Sequence, residues 1–218
     1  MDLLNLLKSL IFYSNNKCLF CLEEDYDKEY ICDECLRKLE YVDKKIEISQ
    51  GIKCLYPYYY NGFLRDKFTK YKFEKKSFLV KAFSALLIKY IIEKNLSSFD
   101  FILYVPISDN TRIERGYNQV ELIAKRIGKI LDIEVIDFFN KVFDTKEQNK
   151  LGWEERKYNL NSSIEIKKEY RNKKILRNKK ILILDDLITS GRTLEEIISL
   201  LENEEIGEII ALVLASSR

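Results

Sequence analysis

Histidine is absent from the 218 residues. That removes imidazole general bases, Ser-His-Asp triads and histidine metal ligands at once. Proline occurs twice and apolar residues make up 46%, which argues against a disordered or linker-rich chain. Neither sign of charge dominates: 37 Lys and Arg face 35 Asp and Glu, so no global field dictates a nucleic-acid partner. No uninterrupted apolar run reaches membrane-spanning length. Met1-Asp2, with Lys8 in the first apolar stretch, has neither the basic leader nor the small-residue cleavage site of an export signal. Leu3, Leu4, Leu6, Leu7, Leu10 and Ile11 are instead expected to form a helix packed on the body, and the location is expected to be cytoplasmic. The length suits one well-filled α/β core with a small appendage.

What is present is most specific near the carboxyl end. Ile181 to Leu184 are apolar without alternation, as in a strand buried on both faces of a parallel sheet. Asp185 and Asp186 follow where that strand should end. Thr189-Ser190-Gly191-Arg192-Thr193 then leads into Leu194, Ile197, Ile198 and Leu201, an amphipathic helical stripe. A short hydroxyl- and glycine-containing turn at a helix N-terminus aims backbone N–H groups at one spot, where phosphate fits. Thr189, Ser190 and Thr193 can add hydroxyls and Arg192 a charge. The carboxylates suit vicinal sugar hydroxyls or Mg²⁺ nearby. A phosphorylated ribose satisfies both halves. The stretch is neither a Walker loop nor a G-x-G-x-x-G turn; it resembles the phosphoribosyl pyrophosphate motif of type I phosphoribosyltransferases. The plainer alternative is a β-turn-α junction whose Asp and Thr residues cap a helix.

Near the other end, Cys18-x-x-Cys21 and Cys32-x-x-Cys35 form two knuckles that can present four thiolates to one Zn²⁺. So small a segment cannot hold itself together by apolar burial, so zinc is expected to be structural. Cys54 lies outside the knuckles and is read as a small core hydrophobe. Acidic residues cluster between the knuckles and would repel a phosphate backbone.

Between these ends, Tyr56 to Gly62 reads as an edge strand or short hairpin ending in an Asn-Gly turn. Phe63 to Lys76 reads as a basic amphipathic helix, and Ser77 to Lys94 as a second helix with Phe78, Ala82, Ala85, Leu86 and Ile88 inward. Phe99 to Ser108 reads as the first central strand. If it neighbours the 181–184 strand, Pro106, Ile107 and Ser108 share a crevice with Asp185 and Asp186.

Arg112-x-x-Arg115-Gly116-Tyr117-Asn118-Gln119, Lys141-x-x-x-Thr145-x-x-Gln148-x-x-Leu151 and Arg156-x-x-Asn159 stand between the cysteine knuckles and the acidic pair. In that order, these motifs resemble the ComF family of competence-associated phosphoribosyltransferase-like proteins. Lys141 stands where that family usually has Arg; Ser190 and Arg192 replace the commoner Thr and Ala.

The resemblance implies a doubly wound, mostly parallel α/β sheet of the type I phosphoribosyltransferase kind with a small N-terminal zinc ribbon. It divides the chain into a helix (1–16), the ribbon (17–54) and the phosphoribosyltransferase-like domain (55–218). It implies phosphoribosyl pyrophosphate with Mg²⁺ as ligand, pyrophosphate gripped at 106–108, and 141–159 as a hood bringing Arg115, Lys141 and Gln148 to the site. Asp185 and Asp186 would act in catalysis, displacing pyrophosphate from C1. It also implies service in natural transformation, handling single-stranded DNA with DNA-uptake proteins as partners. Basic segments at 65–76 and 167–180 are the candidate DNA contacts, although lysines on solvated faces are ordinary. The rival class is a non-catalytic sensor of the sugar pyrophosphate, or a single-stranded-DNA adaptor.

Overall fold

The structure is a computed structural model that describes residues 16–26, 30–142 and 163–217. The expected N-terminal helix lies outside them. So do residues 143–159 of the expected hood, Gln148 among them.

Six strands form the main sheet. In chain order they are β1 (Tyr41–Glu47), β2 (Lys53–Tyr59), β3 (Phe101–Tyr104), β4 (Glu134–Ile136), β7 (Lys180–Ile188) and β8 (Glu208–Ser216). Their spatial order is β1-β2-β8-β7-β3-β4. Only β1–β2 is antiparallel; the other pairs are parallel. Between them β5 (Phe139–Lys141) and β6 (Ile164–Ile166) make a separate antiparallel pair.

Helices cover both faces, as the continuous apolar runs of the central strands require. Ile102, Tyr104, Leu182, Leu184, Leu212 and Leu214 face one side and pack with α3 (Val80–Glu93) and α5 (Gln119–Leu131). Leu103, Val105, Ile181, Ile183, Ala211 and Val213 face the other and pack with α6 (Arg192–Leu201) and the β5–β6 pair. Each buried leucine or isoleucine contributes roughly 1.5–3 kcal/mol. The sheet therefore stands on its own packing. Gly128 allows the close return of β4 onto α5: a Cβ there would lie 2.4 Å from Val135 Cγ2 and 2.5 Å from the Ile133 carbonyl.

Several expectations need correction. β2 is not an edge strand, because β8 takes its second side, with Cys54 opposite Ala211; the edge belongs to β1. Asn61-Gly62 is not a hairpin turn. The Asn61 side chain accepts from the Leu64 amide at 3.0 Å and so opens α2 (Gly62–Phe73). Phe78 faces outward, 39% exposed, because 77–79 is a single 3₁₀ turn and the helix proper begins at Val80. β7 does not end before the acids but runs on to Ile188, since β8 keeps pairing with it as far as Ser216.

The short helix α1 (Asp33–Arg37) carries Cys35. The segment around it joins the main core: the Phe20 ring lies 5.5 Å from Phe83 and 5.9 Å from Phe63. The expected boundary between 54 and 55 falls inside β2.

Candidate functional site

β3 and β7 part company at their carboxyl ends. Their pairing stops at Tyr104 opposite Leu184, while β7 continues beside β8. From Asp185 onward the β3 side of β7 is open. The chain winds from β3 outward to β4 and then returns to place β7 on the other side of β3, so the opening is a topological switch point, where such sheets bind ligands.

Pro106, Ile107 and Ser108 leave β3 on one lip. Ser108 is buried and caps the seven-residue helix α4 (Asp109–Arg115), its Oγ accepting from the Thr111 amide at 3.2 Å. It also forms a parallel bridge with Lys141 of β5. The loop is thus held from two sides, and its hydroxyl is engaged within the protein.

Asp185 and Asp186 occupy the other lip on opposite faces of β7, as period-two alternation requires. Burial first, and the Asp185 charge second, push the Cys54 thiol up to about 12. The Asp186 amide donates to Asp185 Oδ1 at 2.8 Å. Burial first, and the Asp186 charge second, push the Asp185 carboxyl up to about 7, with Lys72 and Lys141 pulling against them. Asp186 lies on the α2 side. Its Oδ2 is 2.6 Å from Lys72 Nζ, in a pair whose side chains are 13% and 19% exposed.

The turn beyond is open. Thr189, Ser190 and Arg192 are exposed and Thr193 half-buried. Gly191, at φ +89°, is the residue from which α6 starts; an L side chain would strain this backbone. No side chain caps α6, and the contact from the Arg192 amide to Ser190 Oγ is long, at 3.4 Å. The capping alternative for Asp185, Asp186 and the threonines is therefore not what holds this helix end. Its first-turn amides, with the positive end of the helix dipole, remain suited to an anion.

The Arg115–Gln119 motif is engaged differently from expected. Arg115 donates to Gln119 Oε1 at 3.1 Å and lies 5.0 Å over the Phe73 ring. Tyr117 donates its hydroxyl to the Tyr71 carbonyl, and Tyr71 in turn donates to the Gln119 carbonyl at 2.9 Å. Asn118 donates to the Val105 carbonyl at 3.1 Å and caps α5. The motif ties the end of α2 to the end of β3. Two of its buried donors, Arg115 Nε and Gln119 Nε2, have no acceptor among the described residues. Lys72, one lysine in a basic run, gave no sequence signal distinguishing it from its exposed neighbours.

The cysteines come together as the spacing requires. Four sulfurs about 2.3 Å from a tetrahedral Zn²⁺ stand about 3.8 Å apart. Cys21 and Cys32 Sγ are 3.9 Å apart, and all four sulfurs lie within 4.8 Å of one another. The Phe20 amide points at Cys18 Sγ at 3.4 Å. The cluster could hold a metal ion and is compatible with zinc.

The two basic segments are substantially neutralised within the fold. Lys167 pairs with Asp137, Arg171 with Glu165, Lys174 and Arg177 with Glu205, and Lys179 with Asp100. In the earlier segment Lys67 and Lys70 share Asp66, Lys72 takes Asp186 and Lys76 takes Glu74. Arg65, Lys75, Lys168 and Lys173 are exposed beside these pairs, so each segment carries interspersed charge of both signs. No helix among the described residues is long and apolar enough to cross a membrane.

Residues 121–218 match the phosphoribosyl transferase domain. Competence protein ComFC of Streptococcus pneumoniae is 25% identical over 203 residues, covering 89% of this chain and 86% of its own. Competence protein F of Haemophilus influenzae is 26% identical over 186 residues, covering 82% and 75%. A purine phosphoribosyltransferase structure from Pyrococcus horikoshii overlaps 64% of this chain and 73% of its own, at 19% identity and a TM-score of 0.40, too low to add to the domain match. Over most of its length the chain is similar to these competence proteins, and its residues 121–218, on a mostly parallel α/β sheet, are similar to a phosphoribosyl transferase domain.

Proposed function

We propose that the crevice between β3 and β7 binds phosphoribosyl pyrophosphate and that the protein serves natural transformation, as its homologues' names suggest. The observation that supports this most is a helix N-terminus without a side-chain cap, flanked by exposed Thr189, Ser190 and Arg192, just beyond a carboxylate pair at the switch point. Asp185 and Asp186 accept from the ribose hydroxyls. The amides of the 191–193 turn and the hydroxyls of Thr189, Ser190 and Thr193 hold the 5′-phosphate. Lys141, placed beside the 106–108 loop and felt by Asp185, faces the pyrophosphate. A divalent cation supplies charge neutralisation of that leaving group. In transfer, the C1–O bond breaks with its electron pair departing on pyrophosphate, and an acceptor lone pair forms the new bond at C1. Zinc in the cysteine cluster is structural and supplies the fold energy of the ribbon.

The test is calorimetric titration of the zinc-loaded protein with phosphoribosyl pyrophosphate and Mg²⁺, wild type against Asp185→Asn/Asp186→Asn. Binding that the double change abolishes, with a cooperatively folded protein and zinc content retained, is the expected result. Equal binding by both proteins sinks the proposal. Pyrophosphate release with nucleobases or single-stranded DNA present then separates a transferase from a protein that binds without turnover.

A further inference from the structure

Asp186 carries a contact that nothing in the sequence announced, and that contact bears on what the acid pair accepts. Lys72 Nζ stands 2.6 Å from Asp186 Oδ2, with both side chains more than four-fifths shielded. The lysine is not a loose surface charge that settled there. Its neighbours Tyr71 and Phe73 are both held by the Arg115–Gln119 motif: Tyr71 through hydroxyl–carbonyl bonds in each direction, Phe73 beneath the Arg115 guanidinium. The Lys72 ammonium lies 5.6 Å from the Phe68 ring centroid, and Phe68 is stacked on Phe83 at 4.5 Å. The backbone at 71–73 cannot shift without breaking these contacts, so the ammonium is delivered to the acid pair by the core.

We infer that Lys72 is a built-in counter-cation: it holds the place on Asp186 that a divalent ion would take, leaving the acid pair to sugar hydroxyls. The geometry is restrictive. Mg²⁺ binds a carboxylate oxygen at about 2.1 Å, so every position around Oδ2 lies within about 4.7 Å of Nζ. At that separation two like charges in a shielded crevice repel strongly. A hydroxyl brings no charge and meets no such barrier; it donates to a carboxylate lone pair that Lys72 leaves open. A divalent ion therefore enters with the ligand's phosphates and not ahead of them. The role of the diol rests on the sugar-phosphate reading of the crevice; the exclusion of the bare cation does not.

The test uses zinc-loaded full-length protein without sugar phosphate, titrated with Mn²⁺ and followed by the electron-spin resonance of the free ion. Wild type and Asp186→Asn are expected to bind Mn²⁺ alike. Lys72→Met is expected to gain a Mn²⁺ site at least tenfold tighter than any wild-type binding in the crevice. Lys72→Met/Asp186→Asn loses that site again, and Lys72→Arg, which keeps the charge, does not acquire it. Lys72→Gln serves in place of Lys72→Met if the latter fails to fold. The inference is overturned if neutralising Lys72 yields no new site, if that site survives in the double variant, or if wild type already binds an ion that Asp186→Asn removes. Failure of the protein to bind phosphoribosyl pyrophosphate would remove the sugar reading while leaving these Mn²⁺ outcomes decisive for Lys72.

Discussion

The four-cysteine cluster and the crevice are built on opposite plans. Among the described residues around the cluster the one regular element is a five-residue helix, beside turns, an isolated bridge between Lys17 and Asp25, and sulfurs brought within 4.8 Å. On the reading proposed above, so little secondary structure leans on a bound ion as well as on the packing of Phe20 and Ile31 into the main core. The crevice is lined by the ends of strands whose bodies are wholly buried: Ile181 to Leu184 and Ala211 to Ala215 are all at 0% exposure. That scaffold exists before any ligand arrives. On this account one site is completed by an ion, while the other is preformed and tuned by charges at its rim.

The sharpest way to break this comparison is to remove the metal. Stripping zinc with a chelator is expected to unfold the region around residues 18–35 and to cost the body the packing of Phe20 against Phe63 and Phe83. A buried phenylalanine lost in this way costs about 3–5 kcal/mol. Thermal melts of stripped protein and of zinc-loaded Phe20→Ala should fall together, with the β-sheet signal surviving at lower temperature. A stripped protein that melts like the loaded one contradicts a metal-made ribbon.

A smaller effect lies at the crevice. The Asp185 carboxyl rises from 3.8 to about 7 on folding, burial being the main cause. An acid raised by folding keeps its proton longer in the folded state, so stability is greatest toward the acid end of that window and is lost as pH rises through 7. Asp185→Asn removes the loss. The variant should exceed wild type by on the order of 2 kcal/mol near pH 8, discounted for partial exposure, with the gap shrinking toward pH 4. Urea melts across that range read the difference. A wild-type advantage at pH 8 would mean that the carboxylate is stabilised where it sits.

The smallest expected effect concerns the tie between motif and helix. Tyr117→Phe deletes the hydroxyl that donates to the Tyr71 carbonyl and should cost about 1 kcal/mol. If α2 is needed to place Lys72, a Mn²⁺ response part-way to that of Lys72→Met should accompany the loss.

What could be read beforehand follows from how each feature is encoded. Leu194, Ile197, Ile198 and Leu201 show their shared face by spacing alone, and all four are buried. The cysteine knuckles were equally legible, because four ligands for one ion leave a fixed interval. Two aspartates look like the end of a strand, whereas the pairing with β8 that carries β7 to Ile188 is set by a segment 28 residues further along the register, Asp185 opposite Val213. Asn61-Gly62 misled for a related reason: asparagine serves both tight turns and helix caps, and only the following backbone decides. Lys72 was invisible since its partner lies 114 positions away. The pairing of the basic run after 165 was hidden likewise, its carboxylates coming from Asp100, Asp137 and Glu205.

The most direct test of the crevice uses ribose 5-phosphate, which carries the diol and the terminal phosphate without the pyrophosphate. Calorimetry on zinc-loaded protein should detect binding in wild type, weakened by Ser190→Ala/Thr193→Val and lost in Asp185→Asn/Asp186→Asn. Unchanged affinity in both variants would contradict a sugar-phosphate site at this end of β7.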